Sequence, residues 1–163
     1  GEEAPGPYGT VIFPGYETLR RVPSYEFMRL GVEQKRAGAL LEAARLAARV
    51  EAAASRGLDE VRKLLYAIPG TGAWTAEHMM GFAFGDPDAV PTGDVHLPHD
   101  VSFTLTGEPW GSDERMVELL EPFRGHRFRV IRLVALAGPT RPYLDRGLTS
   151  GAGRRRPRNP PRS

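Results

Sequence analysis

Cysteine is absent from this sequence, and lysine is nearly so. Among the 163 residues there is no Cys, and the lysines are Lys35 and Lys63 alone. Without thiols the chain can form no disulfide, no cysteine nucleophile and no thiolate-bound zinc or iron–sulfur cluster. Two lysines also leave few side-chain amines that could serve as nucleophiles.

Long apolar runs are lacking as well. No stretch approaches the roughly 20 apolar residues that a membrane-spanning helix needs, and no signal peptide is visible. We therefore expect no membrane partner and a cytoplasmic location, associated with the nucleoid if the source is bacterial. The length is sufficient for one domain with a modest hydrophobic core.

Charge is distributed unevenly along the chain. Residues 1–140 contain 15 Lys and Arg against 19 Asp and Glu, a balance of −4, whereas residues 141–163 contain 7 Arg against 1 Asp, a balance of +6. Residues 140–163 are rich in Arg, Pro and Gly, a composition that predicts a disordered tail. Because the remainder is not basic overall, any contact with a nucleic acid must depend on a local site.

The most informative stretch is residues 64–76. Apolar residues recur at helical spacing up to Ile68, after which Pro69 and Gly70 end the helix. A second apolar helix is predicted over residues 74–84, so two helices are joined by a tight turn. Such a turn, with glycines at 70 and 72, leaves backbone amides free at the start of the second helix, where they suit a phosphate group. The alternative is a plain connection between two helices.

A loop rich in Pro, Gly and Asp follows at residues 86–93 and leads to Asp94. An apolar-periodic run over residues 95–105 predicts a helix after it, so Asp94 is expected to cap that helix. A carboxylate held by backbone donors at a helix start stays ionised and rigid. The neighbouring Asp86, Asp88 and Asp100 are interpreted as turn and cap residues.

The sequence of residues 65–76, Leu-x-x-Ile-Pro-Gly-x-Gly-x-Trp-Thr-Ala, resembles the helix-hairpin-helix of one DNA glycosylase superfamily. This superfamily carries a Gly/Pro-rich loop and an Asp, which residues 86–94 resemble. The DNA-3-methyladenine glycosylase II branch is the most similar, over roughly residues 32–137. The resemblance implies an all-α glycosylase domain with a helical core at residues 32–139, preceded by a loop-rich segment at 1–31.

The same resemblance implies an activity and a set of site residues. The expected enzyme hydrolyses the N-glycosidic bond of alkylated purines, acting on a flipped-out base in double-stranded DNA during base excision repair. Asp94 would be the catalytic carboxylate. The expected base pocket and phosphate contacts comprise Trp74 and His78 for the base, and Gly70, Gly72, Thr75, Arg124 and Arg127 for the phosphates.

Two further expectations concern cofactors and the type of reaction. In similar hairpins three backbone carbonyls hold a monovalent cation, and here they would belong to Tyr66, Ile68 and Thr71. A structural Na⁺ or K⁺ is thus the one ion expected, because no His, Asp or Glu set has zinc spacing. Strand-nicking relatives carry a lysine soon after the hairpin glycines, where residues 73–75 read Ala-Trp-Thr. We therefore predict a monofunctional enzyme.

Alternative interpretations remain open at this point. Relatives carry helices that precede the present Gly1, so the chain is expected to lack them and could be a non-catalytic helix-hairpin-helix DNA-binding module or an inactive fragment. Their loss would expose the apolar stripe of the long helix predicted at residues 32–55 and favour self-association. A third interpretation is a helical interaction module. The rings of Trp74, His78 and Phe82, spaced four residues apart, should share one helix face, with Phe82 in the core.

Overall fold

The computed structural model describes residues 3–6 and 9–139, which contain helices and no named strand. One isolated antiparallel bridge joins Glu3 to Val11. No helix in these two ranges has the length and apolar character needed to cross a membrane. The predicted all-α class is confirmed, and the predicted tail at residues 140–163 lies outside the described residues. The helices are α1 (Tyr16–Leu19), α2 (Ser24–Arg29), α3 (Gln34–Ala54), α4 (Leu58–Tyr66), α5 (Ala73–Phe82), α6 (Leu97–Thr106), α7 (Asp113–Leu120) and α8 (Arg127–Ala137).

The long predicted helix is α3, and its apolar stripe is covered. Its residues Ala37, Ala44 and Val50 are buried, because α1 and α2 pack on it from the segment at 1–31 that was expected to be loop-rich, and α4 packs on it as well. The prediction that the stripe would be exposed is therefore wrong. Helix α2 begins at Ser24, and Pro23 precedes it at the N-cap.

The helical hairpin predicted around Gly70 is α4 followed by α5. Gly70 has a φ of +87°, a conformation that residues with a side chain rarely adopt, so glycine is required at this turn. Gly72 is extended and stands at the N-cap of α5. Farther along the chain, the hydroxyl of Ser112 caps α7 by accepting a hydrogen bond from the amide of Arg115 at 3.2 Å.

Two hydrophobic clusters form the core, and α8 contributes to both. The ring of Phe128 belongs to the first cluster, and it lies so close to Gly81 that a Cβ there would be 2.2 Å from it. Ile131 and Val134, one and two turns later, belong to the second cluster. The first comprises Val50, Ala53, Val61, Leu65, Ile68, Ala76, Met80, Ala89 and Phe128, and the second Val101, Met116, Leu120, Ile131 and Val134. Helix α8 thus joins the hairpin half to the α6–α7 half.

The loop between α5 and α6 runs across both halves. Ala89 is buried in the first cluster, Val90 packs against the second, and Pro91 between this pair and Asp94 is fully buried. The amide of Gly93 donates a hydrogen bond to the Asp113 carboxylate at 2.8 Å. Although it lacks regular structure, this loop is therefore held on both sides as it approaches Asp94.

Charged groups fix the beginning of the same loop. The guanidinium of Arg62 on α4 contacts the carboxylate of Asp86 and that of Glu77, the latter at 3.0 Å. Both carboxylates are buried, with 5% and 7% of their surface exposed. The hydroxyl of Tyr66 donates a further hydrogen bond to Glu77 at 3.1 Å. Because a buried carboxylate without its cation is costly, this cluster ties the loop to the hairpin.

Asp88 ties the loop to the start of α8. Its Oδ1 accepts hydrogen bonds from the Gly125 amide at 2.7 Å, the Arg127 amide at 3.2 Å and the Arg127 side chain at 2.8 Å. The Arg127 guanidinium also contacts Oδ2. Arg127 is the largest influence that lowers the pKa of Asp88, from an ordinary value of 3.8 to about 2, although partial burial opposes the shift. The sequence predicts a turn or cap residue at Asp88, and the structure instead gives it a long-range role, since the amide of Gly125 is 37 residues away along the chain.

Replacing Asp88→Asn should destabilise the protein by about 2 kcal/mol at neutral pH, since a shift of nearly two pKa units corresponds to that free energy. A lowered pKa means that this stability is present above pH 3.8 and is lost as the pH falls towards about 2. Urea unfolding of both proteins across this range should show their difference shrinking in acid. Asp59→Asn, at a carboxylate that is 90% exposed, is the control and should change stability little. A difference between parent and Asp88→Asn that stays constant down to pH 2 would contradict the role of Asp88.

Candidate active site around Asp94

Asp94 stands at the end of the anchored loop, just before α6. Its Oδ1 accepts hydrogen bonds from the amides of His96 at 2.7 Å and Leu97 at 2.8 Å. Its Oδ2 accepts a hydrogen bond from the indole Nε1 of Trp74 on α5, at 2.6 Å. The predicted capping role is confirmed in substance, although α6 begins at Leu97 and not at residue 95. Three donors therefore fix the carboxylate, and since two oxygens offer about four acceptor positions, one remains for a further donor.

These donors keep the carboxyl ionised. Burial is the largest influence and raises the pKa of Asp94, but the Leu97 and His96 amides and the Trp74 indole together outweigh it, so the pKa lies below its ordinary value. Hydrogen bonds to the charged form of a carboxyl always act in this direction. At neutral pH the site presents a fixed negative charge with no proton to donate.

The carboxylate borders an open groove of about 360 Å³, lined by Trp74, Gly93, Asp94, Val95 and His96. Trp74 is 46% exposed and Val95 is 70% exposed. A planar group that entered the groove would therefore meet an indole on one wall and a carboxylate beside it. The imidazole of His96 lies at the rim of the same groove.

The predicted row of rings along α5 is confirmed. The centroids of Trp74 and His78 are 4.6 Å apart, and those of His78 and Phe82 are 6.0 Å apart with nearly parallel planes. His78 Nδ1 lies 2.7 Å from the Trp74 carbonyl, and because a carbonyl can only accept, this nitrogen carries the hydrogen and Nε2 is left unused. Phe82 is 58% exposed, so the prediction that it packs in the core is wrong.

The hairpin amides are free to bind a ligand. Among the described residues no acceptor contacts the amides of Gly70, Gly72 or Thr75. They stand at the positive end of α5, a helix of 10 residues, where an anion is favoured. A Cβ at Gly72 would meet nothing within 4 Å, so a polymer backbone could approach this side of the turn closely. The contact with phosphate stays a prediction.

The expected cation site involves backbone only. The carbonyl of Ile68 already accepts a hydrogen bond from the Thr71 amide at 3.0 Å, and a carbonyl oxygen has a second lone pair. Within residues 3–6 and 9–139 no group of His, Asp or Glu side chains is suited to a metal ion. The carbonyls of Tyr66, Ile68 and Thr71 therefore remain a predicted Na⁺ or K⁺ site.

The two arginines predicted to contact phosphates have acidic partners. Arg124 is exposed and its Nε donates to Glu121 at 2.8 Å, an arrangement that a phosphate could displace. Arg127 is mostly buried against Asp88, so in this structure its guanidinium holds the loop to α8. Arg127 thus has a structural task that the sequence did not indicate.

The structure brings together three of the predicted site residues, Asp94, Trp74 and His78. Sequence reasoning missed the hydrogen bond from Trp74 to Asp94, which spans 20 residues and has no local signal. His96, which lies near Asp94 in the sequence, also lines the groove.

Comparison with protein families and with curated proteins identifies no relative of this chain. No protein-family model matches the sequence, and no curated protein is significantly similar to it. The functional argument therefore depends on the arrangement around Asp94 and on the motifs.

Replacing Trp74→Phe should raise the pKa of Asp94 towards its ordinary value, because the ring is kept but the donor to Oδ2 is lost. The pKa should be measured by ¹³C NMR titration of the Asp94 side-chain carboxyl. Trp110→Phe is the matched control, since the second tryptophan of the chain packs against His99 and not against Asp94. An unchanged pKa in Trp74→Phe would show that the indole does not hold the carboxylate in solution.

Proposed function

We propose that this protein is a monofunctional DNA glycosylase that releases alkylated purines, of the 3-methyladenine type, from double-stranded DNA in base excision repair. The observation that carries the proposal is the ionised carboxylate of Asp94, fixed by three donors beside an exposed indole in an open groove. The resemblance of residues 65–76 and 86–94 to the helix-hairpin-helix glycosylases supports the same reaction.

The chemistry needs a fixed negative charge. When the N-glycosidic bond breaks, its electron pair leaves with the base, and the sugar becomes an oxocarbenium-like cation. Asp94 stabilises this charge electrostatically without any reorganisation. Water then forms the new bond to C1′ and gives up a proton to solvent or to the carboxylate. The products are the free base and an abasic sugar in an unbroken strand.

The lowered pKa of Asp94 also indicates the substrate class. A carboxylate that stays ionised cannot protonate a leaving base, so it cannot assist a poor leaving group as a general acid. An alkylated purine is already cationic and leaves as a neutral base without that proton. Its positive charge also favours stacking on the electron-rich indole of Trp74.

DNA would be held by local contacts. The free amides of Gly70, Gly72 and Thr75 at the start of α5 could take one phosphate, and Arg124 could leave Glu121 for another. Trp74 is the second residue of the same helix. A strand held at the α5 N-terminus therefore passes close to the carboxylate that Trp74 contacts. Because these contacts are local, they require no basic surface and are compatible with the acidic balance over residues 1–140.

The lysines support hydrolysis without strand cleavage. Lys63 is 72% exposed and paired with Glu60 at 2.7 Å, and the hydrogen bond that it donates to Glu60 raises the pKa of the Lys63 amine. Lys35 is exposed on α3. Neither lines the groove at Asp94, so neither side chain is placed to form the amine adduct that strand-nicking glycosylases require.

A second candidate is a helix-hairpin-helix module that binds DNA without releasing a base. The observation that favours it is the openness of the groove. Trp74 is 46% exposed, so a flipped base would stack on one face of its indole only. Both candidates share the hairpin contact with phosphate, and they differ in whether Asp94 acts on a substrate.

The decisive experiment measures free bases released from methylated duplex DNA by the parent and by Asp94→Asn. We expect release of 3-methyladenine with the parent and a loss of about 100-fold or more in the variant, a size typical of removing a principal electrostatic group. Asp59→Asn serves as the matched control because its carboxylate is 90% exposed on α4. A gel run before alkaline cleavage should show an intact strand.

The outcomes separate the candidates. Equal release by the parent and a folded Asp94→Asn would remove Asp94 from the mechanism. Duplex binding that depends on Gly70 and Gly72, with no release from either protein, would favour the binding module. Strand cleavage without alkali would contradict the monofunctional assignment.

A further inference from the structure

The line of rings on α5 extends beyond the groove at Asp94. Beyond His78 it continues to Phe82, and the guanidinium of Arg132 on α8 lies over the Phe82 ring, 4.7 Å from its centroid. The edge of Phe82 meets Phe128, whose centroid is 5.2 Å away. Trp74, His78, Phe82 and Arg132, which we call the ring row, therefore form a line of planar groups that joins the Asp94 groove to α8.

The α8 end of the ring row is cationic. Among the described residues no carboxylate lies within ion-pair distance of Arg129 or Arg132, whereas the nearby Arg124 and Arg127 both have acidic partners. Arg129 Nη1 donates a hydrogen bond to His126 Nδ1 at 3.1 Å, so the group that accepts from Arg129 is a ring nitrogen and not a carboxylate. In a part of the chain with an acidic balance, this positive charge without counter-ions beside exposed rings requires an explanation.

A row of rings in which Trp74 and Phe82 are exposed, ending at arginines that have no ion pair among the described residues, is typical of surfaces that bind single strands of nucleic acid. Bases stack on rings, and each base has a face to offer, while the arginines contact the phosphates. A duplex hides its base faces inside its own stack and can offer only phosphates. An acidic protein could form ion pairs with the arginines, but those contacts would leave the line of rings without stacked groups.

We propose that the ring row binds an unpaired DNA strand, with bases against Trp74, His78 and Phe82 and with phosphates at Arg132 and Arg129. This rests on and extends the proposed function, since Trp74 also borders the catalytic groove: the strand of the double-stranded substrate would be locally unpaired beside the damaged base and held on the ring row. Strand binding itself requires no base release.

The test measures binding of fluorescein-labelled oligo-dT, about twelve nucleotides long, by fluorescence anisotropy at several salt concentrations. Thymine has little tendency to stack on itself and carries no alkylated purine. Phe82→Ala should weaken binding about tenfold, a size typical of losing one stacking ring. Phe82→Trp should restore it, which controls for disturbance of the contact with Phe128.

Two substitutions of Arg132 separate charge from stacking. Arg132→Gln should weaken binding and reduce the slope of log K against log salt by about 0.7, as expected for one lost phosphate contact on a single strand. Arg132→Lys should keep the slope but lose affinity, because an ammonium does not stack as a guanidinium does. Arg49→Gln, at an exposed arginine of α3 without an ion pair, is the matched control. The Arg-rich residues 141–163 are present in every variant, so their contribution cancels.

The proposal is overturned if folded Phe82→Ala and Arg132→Gln both bind oligo-dT as the parent does, or if the parent does not bind it at low salt. Binding of a matched duplex that Phe82→Ala weakens as much as it weakens binding of oligo-dT would also overturn it, as would self-association of the parent that Phe82→Ala abolishes. A parent that binds oligo-dT through the ring row but releases no base would overturn the glycosylase and leave this proposal standing. Base release without any effect of the ring-row variants on binding would do the reverse.

Discussion

The ion pair between Asp88 and Arg127 is the contact on which the rest of the structure depends. The Asp88 carboxylate accepts hydrogen bonds from the Gly125 and Arg127 amides at the start of α8, and the same contact fixes the middle of the loop between α5 and α6. Helix α8 in turn joins the two hydrophobic clusters through Phe128 and Ile131. Without this pair, the start of α8 and the middle of the loop that leads to Asp94 would lose the contact that holds them together.

The same physical device recurs at Asp94 with a different consequence. In both places a carboxylate accepts hydrogen bonds at the start of a helix, and in both the pKa falls. The carboxylate of Asp88 also forms an ion pair with Arg127, so it is part of the structural framework. Asp94 faces an open groove with an indole as its third donor, so its charge is available to a ligand. The side chain that donates to the carboxylate, an arginine at Asp88 and an indole at Asp94, separates the structural carboxylate from the candidate catalytic one.

The features that the sequence predicted are those with short-range causes. Helical periodicity gave α3, the Pro69-Gly70 turn gave the hairpin, and the four-residue spacing of rings gave their shared face. The contacts that complete the site span the chain and leave no local pattern: Trp74 with Asp94, Arg62 with Asp86, and Phe82 with Arg132. The exposure of Phe82 was unpredictable for the same reason, because it depends on which helix lies opposite. The proposals for Asp94 and for the activity rest on the resemblance, because helical periodicity carries no information about a reaction.

The central claim is that Asp94 presents a fixed negative charge to a sugar that becomes cationic. The most direct measurement compares the affinity of the protein for two duplexes, one with a pyrrolidine nucleotide, whose ring nitrogen is positively charged, and one with a neutral tetrahydrofuran nucleotide. The account predicts that the parent prefers the charged ring, on the order of a hundredfold, as expected for a mimic of the transition state. It also predicts that Asp94→Asn loses the preference. Equal affinity of the parent for the two duplexes would contradict it.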